Sequence, residues 1–103
     1  MIGVKTVKNQ YVKVRNMESK QGNIVPNQFI IGVSNNNGDY AYFQSYNTII
    51  AKKDCNTGQI VLDATYWNYS RTTSKYRAIF LNETTVKTEQ KIKKGVYKLE
   101  DLN

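Results

Sequence analysis

Apolar and polar residues alternate with a period of two through most of the first sixty positions, which predicts strands with one buried face. Within residues 28–34, for example, Phe29, Ile31 and Val33 share one parity and therefore one face. Residues 35–39 follow with the asparagines and glycine of a hairpin turn, because Asn and Gly tolerate positive φ. The predicted strands cover residues 4–14, 28–34, 40–45, 47–54 and 59–63.

After position 63 the spacing of apolar residues becomes that of a helix. A stripe at i, i+3 and i+4 predicts a first helix over residues 71–82, with Ser70 or Thr72 as the N-cap that accepts a hydrogen bond from a free backbone N–H. A second helix is predicted over residues 85–94, and residues 96–99 are expected to add an edge strand. The stripe of the first helix consists of Tyr76, Ile79 and Phe80.

The order of these elements predicts the fold class. We expect an α+β protein in which an antiparallel β-meander of about five strands is followed by two short helices. A chain of 103 residues has the size of one domain, so residues 1–103 are expected to form a single domain. Residues 16–27, which include Gly22 and the only proline, are predicted to be a polar loop between the first two strands.

The residue types that the chain lacks restrict its chemistry. It has no histidine and one cysteine, Cys55, so Ser-His and Cys-His nucleophile pairs and histidine metal ligands are excluded. The eight carboxylates are scattered, apart from the adjacent Glu100 and Asp101. We therefore expect a protein that is not an enzyme and needs no metal or cofactor, although a carboxylate-only enzyme or a hard-cation site stays open.

The charge balance favours an anionic partner. Fifteen Lys and Arg residues against eight Asp and Glu residues give a net charge of +7 and a pI near 9.5. Such a charge suits nucleic acid or an acidic protein surface. A genome rich in A and T would also enrich Lys, but Glu has A/T-rich codons as well and is scarce. The positive charge is therefore a real but nonspecific signal.

The start of the first predicted helix has the composition of an anion site. Hydroxyl groups, cations and free backbone N–H groups meet there, and Arg71 and Lys75, four residues apart, project from one side. The alternative is that the hydroxyl groups only cap the helix, since the stretch lacks the glycines of phosphate-binding loops. The predicted contact residues are Ser70, Arg71, Thr72, Thr73, Lys75 and Arg77.

The second predicted helix carries a ridge of lysines. Lys87, Lys91 and Lys94 follow one another at i, i+4 and i+7, so they can lie along a row of phosphates without reading the base sequence. A solvated helix face has the same pattern, and that alternative stays open.

Aromatic residues interleaved with cations form a third constellation. In proteins that bind single-stranded nucleic acid, successive bases stack on such side chains. Tyrosine and tryptophan are equally typical of protein interfaces, and Trp67 also fits a place in a small core. This aromatic surface comprises Tyr40, Tyr42, Tyr46, Tyr66, Trp67 and Tyr69.

Four dipeptides between positions 43 and 81 carry a family resemblance, and they are Ser45-Tyr46, Tyr69-Ser70, Thr72-Thr73 and Phe80-Leu81. In the order SY, YS-x-TT and FL they resemble a family of short uncharacterised proteins encoded by bacteriophages and plasmids of A/T-rich bacteria. The resemblance implies no particular activity. It implies a protein of a mobile element that is expressed inside a bacterium and acts by binding.

Two hypotheses of function follow. The first is largely sequence-nonspecific binding of DNA or RNA through the helix start and the lysine ridge. The alternative is inhibition or modulation of a host or anti-phage defence protein, for example a nuclease complex, through the aromatic surface. No apolar run approaches the ~18 residues that span a bilayer, and the first ten residues lack the apolar core of a signal peptide. We therefore expect a cytoplasmic protein without membrane contact.

Overall fold

Residues 10–103 are described by the structure, a computed structural model. Positions 4–9 of the first predicted strand lie outside the described residues. In chain order the elements are β1 (Tyr11–Glu18), β2 (Ile24–Asn35), β3 (Gly38–Ser45), β4 (Thr48–Asp54), β5 (Ile60–Asp63), α1 (Arg71–Leu81), α2 (Thr85–Lys93) and β6 (Lys98–Glu100).

All these strands form one sheet in the order β1-β2-β3-β4-β5-β6. Each of the first four strands pairs antiparallel with the next, and β6 runs parallel to β5. The meander followed by two helices confirms the predicted α+β class. Two neighbouring parallel strands need a long crossover connection, and α1 and α2 form that connection between β5 and β6. β6 begins two residues later than the predicted edge strand.

The segment of residues 16–27 is not the loop that its polar composition predicts. β1 and β2 extend into it from both sides, so only residues 19–23 form the turn. Met17 explains the difference, because its side chain is 2% exposed and anchors this end of β1 in the core. The pairing register shifts just after Asn16, opposite the stretch that contains Pro26, which has no N–H to donate.

Both helices begin at the predicted residue and end one residue earlier. Ser70 caps α1, since its side chain accepts a hydrogen bond from the backbone N–H of Thr73. Asn82, with φ 55°, ends α1 in the left-handed region. Thr84 caps α2 in the same way as Ser70 caps α1, and Gly95 follows α2 with φ 77°.

The core lies between α1 and one face of the sheet. Phe43 of β3 stacks against Phe80 of α1 with ring centroids 5.9 Å apart. A shift in the β3–β4 register lets Ile50 and Ala51 both be fully buried, whereas Ile49 is half-buried. The buried apolar residues are Met17, Phe43, Ile50, Ala51, Ile60, Leu62, Tyr76 and Tyr97.

The buried stripe of α1 differs from the predicted one. Tyr76 and Phe80 pack in or against the core, but Ile79 is 40% exposed. Arg77 is fully buried instead, as is Thr73 one turn earlier. Positions 73, 76, 77 and 80 follow the i, i+3, i+4, i+7 spacing of a core-facing helix, so the prediction missed two polar members of the stripe.

Candidate nucleic-acid interface

Two of the hydroxyl groups predicted to bind an anion hold α1 on the sheet. The Ser70 side chain donates to the Thr73 hydroxyl at 3.0 Å and accepts from the Thr73 backbone N–H at 3.1 Å. The Thr73 hydroxyl shares a further hydrogen bond of 3.0 Å with the hydroxyl of Ser45 on β3. Thr73 is fully buried, so its predicted role as a ligand contact is corrected to a role in the fold.

Arg77 is the second predicted contact residue that lies inside the protein. Its guanidinium donates to the backbone oxygen of Trp67, the side-chain oxygen of Asn68 and the hydroxyl of Thr85. The guanidinium carbon also lies 5.0 Å from the centroid of the Trp67 ring. Burial lowers the pKa of Arg77, but arginine stays charged in proteins. Arg77 joins the loop before α1 to the start of α2, and its guanidinium is buried inside the protein.

Arg71, Thr72 and Lys75 remain exposed at the start of α1. Arg71 and Lys75 line an open groove of about 540 Å³ between α1 and the start of α2, which we call groove A. The hydroxyl of Ser74 in this groove donates to Asn68 at 2.6 Å. None of the described residues that line groove A is a carboxylate, so its charge is entirely positive.

The predicted lysine ridge of α2 is interrupted in the middle. Lys87 and Lys94 are exposed, but Lys91 forms an ion pair of 2.8 Å with Glu83, the only ion pair among residues 10–103. Burial by itself raises the pKa of Glu83, yet the hydrogen bonds from Lys91 and two neighbouring hydroxyl groups hold that pKa below its ordinary value. The bond to Glu83 raises the pKa of Lys91. Lys91 therefore fixes α2 in place.

Two further grooves beside α1 contain cations that are remote in sequence. Groove B lies between α1 and the β1–β2 turn, and Lys20, Lys75 and Glu18 line it. Groove C lies between the end of α1, α2 and the β4–β5 hairpin, and Lys53 and Lys87 line it. The exposed cations of grooves A to C form what we call the α1 surface, which comprises Lys20, Lys53, Arg71, Lys75 and Lys87.

Sequence reasoning missed Lys20 and Lys53 because no local pattern connects them to α1. Lys20 reaches the helix through the short β1–β2 turn, where a long loop was expected. Lys53 pairs with Ala41, so the register of β4 places both residues on the sheet face that α1 covers. Only the paired sheet brings these two cations to the helix.

Comparison with known families matches residues 12–96 to a family of unknown function, DUF8033. The chain belongs to the DUF8033 family. No curated protein and no solved structure matches it. The DUF8033 region begins within β1 and ends just before β6, so both helices and every cation of the α1 surface lie inside it.

The SY and YS-x-TT motifs of this DUF8033 chain contact each other in the fold, and the FL dipeptide packs against the core. Ser45, Ser70 and Thr73 form the hydrogen-bonded cluster between β3 and α1. Phe80 stacks on Phe43, and Leu81 packs against the core. Most of the pattern therefore serves to dock α1 on the sheet.

The aromatic surface expected from the sequence is divided in the DUF8033 fold. Tyr40 and Tyr42 lie on the sheet face that is turned away from α1, because Phe43 and Ser45, which have the opposite parity in β3, face the helix. The amine of Lys52 lies 4.7 Å and 5.8 Å from the centroids of these two rings.

The other aromatic residues lie elsewhere. Tyr46 occupies the turn between β3 and β4. Tyr66 and Tyr69 form an exposed edge-to-face pair before α1, with ring centroids 5.5 Å apart. Trp67, between them in sequence, packs against the core and against Arg77. The six side chains thus do not gather on one surface.

Within residues 10–103, no group of three or more His, Cys, Asp or Glu side chains is arranged to hold a metal ion. Cys55 is exposed and unbonded in the turn between β4 and β5. Neither helix described here has the length and apolar character needed to cross a membrane.

Proposed function

We propose that the protein binds nucleic acid through the α1 surface. The observation that supports the proposal is that all five cations of this surface are exposed and that none forms an ion pair with a described residue. Free Lys and Arg side chains release counterions from the phosphate backbone, and this release supplies most of the affinity in nonspecific binding. The one acid that pairs with a lysine near these grooves, Glu83, is already neutralised by Lys91.

The geometry favours contacts with the backbone over contacts with bases. Grooves A to C surround a helix of 11 residues, roughly 16 Å long, and their cations come from five separate positions rather than from one recognition face. Cations that contact only phosphates position a protein on the nucleic acid without reading the base sequence. We therefore propose that binding is largely sequence-nonspecific, with DNA or RNA as partner.

Lys75 provides the sharpest test because it lines both groove A and groove B. We expect Lys75→Glu to weaken binding of short single- and double-stranded oligonucleotides about 10-fold at low salt, measured by fluorescence anisotropy at submicromolar protein. Lys98→Glu makes the same charge change on β6, outside the three grooves, and should weaken binding by about 2-fold or less.

A salt series completes this experiment. If about five phosphates are engaged, log affinity should fall with log salt at a slope of roughly −3 to −5, and Lys75→Glu should make the slope shallower by about 1. The proposal fails if no oligonucleotide is bound at low salt. It also fails if the two variants weaken binding equally, since the effect would then come from net charge alone.

We further infer that the protein is a product of a bacteriophage or plasmid and works in the bacterial cytoplasm by binding rather than by catalysis. The SY, YS-x-TT and FL resemblance supports this origin. Inspection of the genes that flank other DUF8033 genes tests it. Phage or plasmid genes as regular neighbours would support the inference, and neighbours typical of bacterial housekeeping operons would contradict it.

A further inference from the structure

The sheet face turned away from α1, which we call the open face, is apolar where a solvated face would be polar. Cross-strand partners share a face, so the register places Ile31 and Val33 of β2 beside Tyr42 and Tyr40. Val14 of β1 follows next to Ile31. An antiparallel sheet with one face in water normally alternates apolar and polar residues, and this sheet does not.

β2 shows the departure most clearly. Its stretch from Phe29 to Val33 is apolar at every position apart from Gly32, a pattern that is typical of strands covered on both faces. Ile30 accounts for one face, because it packs against the core below α1. Among residues 10–103, no helix covers Ile31 and its neighbours on the open face, since both helices pack on the side of Phe43.

Charge on the open face is balanced, in contrast to the chain as a whole. The register places Lys52 and Asp54 of β4 and Lys98 and Glu100 of β6 on this side, together with the buried Asp63 of β5, so the charges nearly cancel in a chain of net charge +7. A polyanion finds little to bind here, and Lys52 already covers the rings of Tyr40 and Tyr42. A second copy of the same face can approach without net repulsion.

The dimensions of the open face fit a weak interface. Four strand spacings of ~4.8 Å and about five residues per strand give a footprint of roughly 19 by 17 Å, on the order of 300 Å². The apolar part of this footprint lies on β1 to β3, and the largest apolar patches of soluble proteins are often functional. The area lies below that of a permanent dimer interface, so association should depend on concentration in the micromolar range or above.

We propose that two copies of the chain pack through their open faces into a two-fold symmetric dimer, a sheet-on-sheet sandwich with the helices outside. Packed sheets lie ~10 Å apart, and the interdigitating side chains of β2 and β3 would form the dry centre. Ile31 and Val33 of β2 supply its apolar contacts, and Tyr40 and Tyr42 lie beside them under the Lys52 amine. The inference rests on the open face alone and is independent of nucleic-acid binding.

Sedimentation velocity of the full chain across a concentration series tests the proposal. We expect the mass to rise from one chain to two. Val14→Lys changes an open-face residue that is 61% exposed in a single chain, so the chain should still fold. Two-fold symmetry places the new charge in the interface twice, and the dimer should weaken on the order of 100-fold.

Val86→Lys is the matched control, because Val86 is 63% exposed on α2 and lies away from the open face. It should leave the dimer unchanged, and thermal unfolding checks that both variants fold. Added salt should leave the dimer unchanged or strengthen it, whereas it weakens nucleic-acid binding, so the two proposals can fail separately.

Three results would overturn the dimer. One is a full chain that stays monomeric at every concentration. Another is that Val14→Lys and Val86→Lys lower the average mass measured by sedimentation to the same extent. The third is a chain that dimerises only after residues 1–9 are deleted, which would assign the open face to that segment instead of a second copy.

Discussion

Arg77 holds three oxygen atoms from two parts of the chain with one planar guanidinium, and no other side chain reproduces that geometry. We expect Arg77→Lys to lower the free energy of unfolding by about 2–4 kcal/mol, because it leaves buried polar groups unpaired around a buried charge. Urea denaturation measures the change. Arg71→Lys, on the exposed side of the same helix, should change stability by less than about 0.5 kcal/mol.

A result in which Arg77→Lys keeps full stability but loses nucleic-acid affinity would contradict the buried role of this residue. The comparison matters because Arg71 and Arg77 look alike in the sequence. Residue type indicated a binding role for both, and only the helical spacing of Arg77 with Tyr76 and Phe80 could have shown that it faces inward.

Asp63 and Glu83 make stability depend on pH. Burial by itself raises the pKa of Asp63, but bonds from three backbone N–H groups and from the Asn103 side chain outweigh burial and hold the pKa below its ordinary value. The pKa of Glu83 is lowered in the same way. A carboxyl with a lowered folded pKa stabilises the protein above its unfolded pKa, and this contribution is lost as pH falls through the folded value.

The free energy of unfolding should therefore be nearly constant from pH 8 to about 5 and should decrease below that, since unfolded carboxyls titrate near pH 4 and the chain has no histidine. Asp63→Asn should be less stable at pH 7 and should show a shallower decrease. Denaturant midpoints measured at stepped pH check this. Stability that rises on acidification would rule out the assigned hydrogen bonds.

At the scale of elements, the contact between α1 and β3 depends on a hydroxyl that the sequence offered as a ligand. Thr73→Val keeps the shape of the side chain and removes its bonds to Ser45 and Ser70, so we expect a loss of about 1–2 kcal/mol in unfolding free energy. Thr72→Val, at the neighbouring exposed position, should lose less than about 0.5 kcal/mol. Chemical denaturation of the two variants measures these changes. Equal losses of unfolding free energy would contradict the docking role of Thr73.

Elements with a local signal could be predicted, and elements that depend on distant contacts could not. The alternation of apolar and polar residues and the turn residues predict the β2–β3 hairpin. The cap residues predict where both helices begin. The extension of β1 depends on the burial of Met17, a single apolar residue in a polar stretch. The parallel pairing of β6 with β5 joins residues more than thirty positions apart, which no local pattern encodes.

At the scale of the whole molecule, the two sides of the sheet have different character. The side of α1 carries the unpaired cations of the α1 surface, and the open face carries apolar residues with balanced charge. The sequence shows which residue types are present, but it could not predict which side of the sheet each one occupies. That assignment follows from strand parity once the strands are paired. Under the two proposals, this division of charge would let one small protein bind a polyanion on one side and a second copy of itself on the other.

Sandwich packing places the two α1 surfaces of a dimer on opposite outer sides, roughly 30–40 Å apart when two sheets and two helix layers are counted. If both proposals hold, such a dimer would bind two nucleic-acid segments. We expect energy transfer between a donor-labelled and an acceptor-labelled duplex when the protein exceeds its dimer dissociation constant. Val14→Lys should bind either duplex as a monomer but give no transfer, because it lacks the second surface.

Lys75→Glu tests nucleic-acid binding separately from dimerisation. It leaves the open face intact, so its mass should still double with concentration, while binding and energy transfer both decrease. If Val14→Lys gives as much transfer as the unmodified chain, one molecule must hold both duplexes by itself. The cations outside the α1 surface, such as Lys98 on the far side of the sheet, would then have to contact phosphate, and bridging would no longer require a dimer.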